Sequence, residues 1–157
     1  MQQPIEKRAK LSRCKRYRYL LERSWGDERT VLVIGLNPSV ADACVDDPTV
    51  RRCIRFAKDW GFDRLLIANL FAYRSTDPSV LLEVDDPIGP SNDRILRETI
   101  QESDCVVAAW GARGGLLERD QSVLGMLDDV YCIGLTASGM PRHPLYMPAA
   151  SQPMLMS

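Results

Sequence analysis

Four apolar runs along the chain, Val31–Leu36, Leu65–Ala68, Cys105–Ala109 and Val130–Thr136, each lead into a polar cluster. The clusters are Asn37-Pro38-Ser39, Asn69 with Arg74, Trp110-Gly111-Ala112-Arg113 and Arg142-His143-Pro144. Between the runs the apolar period changes from strand-like to helical. Asp47 caps and Pro48 opens a helix that carries Val50, Cys53, Ile54, Ala57 and Trp60 on one face, and Gly61 is placed to stop it. Asp77-Pro78 repeats the start signal for a shorter helix through about Val84. A third helix presents Ile95, Leu96, Thr99 and Ile100, and a last one runs through Leu124 and Leu127. Upstream, Tyr17, Tyr19, Leu21, Arg23 and Trp25 alternate with Arg18, Leu20, Glu22 and Ser24, which predicts a half-buried strand. Gly26-Asp27-Glu28 then turns into the first run as an antiparallel pair at or near a sheet edge.

Strands alternating with helices specify βαβ units with right-handed crossovers. The expected fold is α/β, a three-layer sandwich on a four-stranded parallel sheet with an added N-terminal antiparallel edge strand. One domain is expected over 1–157, divided into a basic arm (1–15), an α/β core (16–146) and an irregular tail (147–157). In an open parallel sheet ligands bind outside the carboxyl ends of the strands, so the polar clusters point to one shared site.

Charge alters this picture in one place. The formal net charge is −1, yet residues 1–25 hold eight basic side chains (Lys7, Arg8, Lys10, Arg13, Lys15, Arg16, Arg18 and Arg23) against two acidic ones. They read either as a phosphate-facing stripe or as a solvated arm. No apolar run approaches the roughly 18 residues of a membrane span, and the polar start lacks a signal-peptide core, so a cytoplasmic protein without membrane contact is expected. The five cysteines include no C-x-x-C pair and two lie inside apolar runs. They read as reduced, mostly buried thiols. A cluster of Cys14, Cys44 and Cys53 matches no standard metal spacing, so no metal is assigned.

The candidate chemistry lies in the clusters. Gly35-Leu36-Asn37-Pro38-Ser39 lacks both the dinucleotide glycines and a G-K-[ST] phosphate loop, and no cofactor is expected. Asn37 either projects its carboxamide into the crevice from a rigid proline turn or bonds local backbone. Asn69, at the end of an apolar run, offers a donor and an acceptor side by side and can read a base edge, or it ties two loops together. Phe71 and Tyr73 are stacking candidates or core. Trp110 packs, Gly111 admits a close backbone approach, and Arg113 is a candidate for holding phosphate. His143 is the only histidine and is fixed between Pro141 and Pro144, beside Arg142, a setting suited to an acid, base or hydrogen-bond donor.

The segments GLNPSVADACVDDPTVRRC, NLFAYRSTDP, GPSND, AWG and PRHPLY resemble a bacterial and phage family designated domain of unknown function 1643, from about Tyr17 to Tyr146. Their order is also similar to the uracil-DNA glycosylase superfamily. That resemblance implies that Gly35 to Pro38 orients water and Asn69 reads the base. Trp110-Gly111 would end the third strand, and His143 would stabilise the departing base. Only Leu145 and Tyr146 stand where that superfamily has a bulkier intercalation loop, and the four-cysteine pattern of its iron–sulfur branch is absent. The expected function is a glycosylase-like domain that binds a base or nucleotide, free or in DNA, and hydrolyses an N-glycosidic bond. The alternative is a non-catalytic nucleic-acid or nucleotide binding module. Asn37 and His143 are the catalytic candidates. Gly35, Pro38, Ser39, Asn69, Phe71, Tyr73, Arg74, Trp110, Gly111, Arg113 and Arg142 are the candidates for substrate binding.

Overall fold

The computed structural model describes residues 4–156. Seven strands, β1 (Glu6–Leu11), β2 (Arg18–Ser24), β3 (Thr30–Gly35), β4 (Arg64–Asn69), β5 (Cys105–Ala108), β6 (Tyr131–Cys132) and β7 (Met154–Leu155), form one mixed sheet in the order β1-β2-β4-β3-β5-β6-β7. Three α-helices, α1 (Pro48–Asp59), α2 (Asn92–Gln101) and α3 (Arg119–Leu124), accompany it. β3 runs parallel to β4 and to β5, and β5 meets β6 through the single pair Val107↔Tyr131.

Period-two alternation sorts the central strands between two apolar layers. Leu32 and Ile34 of β3 lie in the cluster with Ile95, Leu96 and Val123, on the α2 and α3 side. Val31 and Val33 lie in the other cluster with Val50, Cys53, Ile54, Phe56 and Ala57 of α1. The α1 boundaries follow the sequence signals: Asp47 Oδ1 accepts Val50 N–H at 2.8 Å, and Gly61 takes φ +85° just beyond the end.

Several expectations are corrected. β2 does not pair with β3, because β4 lies between them and pairs antiparallel with β2. The chain reaches β3 by passing under the start of β4. There Asp63 carboxylate oxygens accept Glu28 and Arg29 N–H, and Arg29 C=O accepts Asp63 and Arg64 N–H. β2 is therefore interior to the sheet and nearly all buried rather than half-buried. The stretch expected as an arm carries β1, the edge strand, paired antiparallel with β2. The expected tail carries β7, which covers the other edge by pairing with β6. The fourth apolar run keeps only Tyr131–Cys132 as strand, since Gly134 and the turn at Thr136–Met140 bend the rest away. Asp77-Pro78 opens a 3-10 turn (Pro78–Leu82) rather than an α-helix, and the last helix stops at Leu124. Cys53 and Cys132 are buried, but Cys14 and Cys44 are exposed; all five thiols are free. No helix among the described residues is long and apolar enough to cross a membrane.

Candidate functional site

β3 and β4 end side by side, with Gly35 opposite Asn69. A Cβ on Gly35 would stand 2.8 Å from Asn69 Oδ1, so the glycine is what lets the carboxamide lie across the strand end. Asn69 is 3% exposed and its Nδ2 has no hydrogen-bond partner among the described residues. A buried donor left without a partner costs about 1–3 kcal/mol. The backbone behind it is rigid. Asn92, fully buried, donates through Nδ2 to the carbonyls of Asn69 and Leu70.

Beyond β3, Asn37 Nδ2 donates to Ser75 O at 2.9 Å and to Pro38 O at 3.2 Å, while Ser75 N–H donates back to Pro38 O. The amide nitrogen is thus used to join two loops, as the local-bonding reading of Asn37 expected. Its Oδ1 makes no hydrogen bond among the described residues. Ser39 Oγ donates to Asp47 Oδ2 at 2.9 Å, so Asp47 holds the start of α1 with one oxygen and the Asn37 loop with the other.

His143 arrives from the other side. The turn after β6 is closed by Thr136 N–H to Met140 O and Arg142 N–H to Gly134 O, and Gly111 N–H donates to Pro141 O. These bonds set His143 beside the end of β5. Its Nδ1 accepts Leu145 N–H at 3.2 Å, which leaves the proton of the neutral ring on Nε2. Burial lowers the His143 pKa below its ordinary value, against a smaller opposing pull from Asp47. At neutral pH the ring is an uncharged donor.

These groups share one cleft at the carboxyl ends of the parallel strands. It has a cavity volume of about 160 Å³ and is lined by Gly35, Asn37, Pro38, Ser39, Asn69, Trp110 and His143, with Arg18, Asp47 and Cys53 among the rest. A cavity of about 150 Å³ admits a single benzene-sized ring, so the enclosed part of this cleft is of a size for one ring.

The other candidates lie elsewhere. Phe71 is wholly buried in the core and offers no stacking face. Tyr73 packs edge-on against Tyr17. Arg74 lies in a neighbouring groove and donates to the Lys15 and Val40 carbonyls. Arg113 is exposed outside the cleft, and Arg142 Nε donates to Leu135 O. Gly111 does not line the cleft, although a Cβ there would meet His143 Cβ at 3.9 Å.

Two charged residues of the cleft escaped sequence reasoning. Arg18 reads as one position of an alternating strand, yet its side chain is buried, with Nη1 donating to Ala41 O and Nε unpartnered. Burial brings its pKa down to about 10, so it stays charged at neutral pH. Asp47 was legible as a helix cap, but nothing in the spacing said that the same carboxylate also faces the cleft. Cys53, in the cleft wall, has its thiol pushed up to about 12 by burial and is no nucleophile at neutral pH. No group of three or more potential metal ligands is gathered among the described residues.

Fold and site together define an α/β protein with a small cleft at the carboxyl edge of its parallel strands, where a few polar groups stand in a largely apolar wall. The chain belongs to the family described as protein of unknown function (DUF1643), whose model matches residues 18–145. No curated protein and no solved structure matches it.

Proposed function

We propose that the cleft takes the base of a nucleoside or nucleotide and hydrolyses its N-glycosidic bond. The observation that carries this reading is the placing, in the wall of one cleft, of the Asn69 carboxamide and of His143, whose Nδ1 accepts Leu145 N–H and so leaves the proton of the neutral ring on Nε2. An amide can match the edge of a base, whose adjacent donor and acceptor atoms it mirrors. A neutral imidazole keeps one N–H, and that N–H can donate to an oxygen on which negative charge develops.

In the reaction, a water oxygen bonds to the anomeric carbon as the bond from that carbon to the base nitrogen breaks, and the bonding pair leaves with the base. His143 Nε2–H donates to the base oxygen as this charge builds. Asn37 Oδ1 accepts one water proton as a hydrogen bond and so orients the attack. An amide is no base, but Asp47 lines the same cleft and its carboxylate takes the proton that the water loses. The departing base anion gains a proton from solvent. The order of the segments, similar to that of the uracil-DNA glycosylase superfamily, supports the same roles for Asn37, Asn69 and His143.

A second reading, a nucleotide-binding module without cleavage, is favoured by the bonds that occupy Asn37 Nδ2 and both oxygens of Asp47, all of which fasten loops. The deciding experiment incubates the protein with nucleosides, nucleotides and single- and double-stranded oligonucleotides carrying uracil, hypoxanthine and other altered bases. Released base or abasic sites are expected. Binding without release would select the module, and neither would refute both readings.

A further inference from the structure

The eight basic side chains of the N-terminal stretch are not equivalent in the fold. Lys7 and Arg23 pair with Asp46, Arg8 lies within ion-pair distance of Glu6 and Glu22, and Arg18 is buried in the cleft. Lys10, Arg13, Lys15 and Arg16 have no ion pair among the described residues. Two of these, Lys15 and Arg16, meet Arg74 in a groove of about 570 Å³ whose other walls include Ser39, Tyr73 and Thr76. The lining contains three cations and no carboxylate. The acid that feels Arg74 is Asp42, which lies outside the lining and whose Oδ1 is taken by Cys44 and Val45 N–H.

The groove is fixed to the cleft. Arg74 N–H donates to Arg16 O at 2.8 Å and Tyr17 bridges to Tyr73, so the β1–β2 turn is fastened to the loop that follows β4. Ser39 lines both spaces, and the Asn37 Nδ2 bond to Ser75 O joins the wall of one to the wall of the other. A molecule with a ring in the cleft therefore has only the Asn37–Ser39 turn to cross before it reaches three cations, none of which has an ion-pair partner among the described residues.

We propose that the Lys15–Arg16–Arg74 groove is a phosphate subsite, which takes the phosphate attached to the nucleoside whose base enters the cleft. This rests on the base-binding reading above and narrows it: the substrate is a phosphorylated nucleoside, not a free one. A nucleotide monophosphate and a single-stranded polynucleotide both present this chemistry. A flexible Lys and two guanidinium groups suit phosphate oxygens approached from solvent, as point charge and as planar fork respectively.

The test compares wild type with the double variant Lys15→Gln, Arg16→Gln. Both side chains are exposed and make no side-chain hydrogen bond among the described residues, so unfolding midpoints are expected to coincide. Arg74→Lys serves as a second variant that keeps charge and loses the fork. Ligands are deoxyribonucleosides, their 5′-monophosphates and a mixed-sequence single-stranded 12-mer, titrated from low to moderate salt. For wild type, phosphorylated forms are expected to bind at least about tenfold tighter than nucleosides, and the double variant is expected to lose that advantage. If the strand is the source, log affinity falls with log salt. The double variant then shows a slope shallower by about 1.4, two contacts at about 0.7 each. If the monophosphate is the source, it binds as well as the 12-mer. Equal affinity for nucleosides and phosphorylated forms, or phosphate-dependent binding unchanged in both variants, would overturn the subsite. Failure of the base-binding reading looks different: groove variants would still weaken binding, while Asn69→Ala and a change of base would not.

Discussion

Replacing Asp47 by asparagine and by alanine separates its part in holding the cleft from the part in chemistry proposed for it. In the folded protein Oδ1 accepts Val50 N–H at the start of α1, and Oδ2 accepts Ser39 Oγ–H. The residue is 7% exposed, and its charge also favours the charged form of the buried Arg18 guanidinium. Alanine removes the cap, worth about 1 kcal/mol, and the charged hydrogen bond to Ser39, worth about 1.5–3 kcal/mol if fully buried and less at this half-exposed serine. A loss of about 2–4 kcal/mol is expected, which at about 2–4 °C per kcal/mol for a chain of this size lowers Tm by roughly 5–15 °C. Asparagine caps as well as aspartate, and the serine hydroxyl can turn to accept from the new amide. Asp47→Asn therefore keeps about 1–2 kcal/mol that Asp47→Ala loses, and its remaining cost comes from leaving Arg18 without a nearby negative charge. The stability assay is urea unfolding of both variants with tryptophan fluorescence. On a substrate identified by base release, both variants are expected to lose turnover by about 10²–10⁴-fold, since neither can take a proton from water. Equal destabilisation of the two variants would refute the capping account. Asp47→Asn with near wild-type turnover would remove Asp47 from the chemistry and leave it a purely structural residue.

His143→Ala is expected to lower turnover by about 10²–10³-fold with little change in ligand affinity, whereas Asn69→Ala should mainly weaken affinity; parallel kinetics and calorimetric titrations check the contrast. The folded His143 pKa lies below 6.5, the unfolded value, so acid protonates the unfolded chain first. Its contribution to stability is thus complete above about pH 6.5 and is lost as pH falls through the folded pKa, and thermal scans at pH 7.5 and 5 should show a larger drop for wild type than for His143→Gln. Gly35→Ala would drive a methyl group into Asn69 Oδ1, and is expected to cost about 1–3 kcal/mol and to mimic Asn69→Ala in binding assays. Arg23, wholly buried, depends on Asp46 at 2.8 Å. Asp46→Ala is therefore expected to cost about 3–5 kcal/mol in urea unfolding, while Lys7→Ala, at the exposed end of the same cluster, should cost less than about 1 kcal/mol.

What the sequence by itself determined was local. The unbroken apolar run Val31–Leu36 marked a strand, Asp47-Pro48 and Gly61 bounded α1, and the polar residues after the first three apolar runs marked where those strands end. Such signals survive because period, capping and proline act over a few residues. They brought Asn37, Asn69, Trp110 and His143 to one cleft because parallel strands share a carboxyl edge. Only the tertiary structure decided the strand order. Pairing joins residues far apart in the chain, and no local pattern distinguishes β2 beside β3 from β2 beside β4. The two edges, β1 and β7, were hidden for the same reason: a basic stretch and a methionine-containing tail become strands only because unpaired sheet edges accept them. Burial of charge was equally illegible. Arg18 and Arg23 are buried because carbonyls of residues 41–45 and the Asp46 carboxylate meet them across the fold, so whether a charge faces solvent or the cleft depends on partners that the strand itself does not contain.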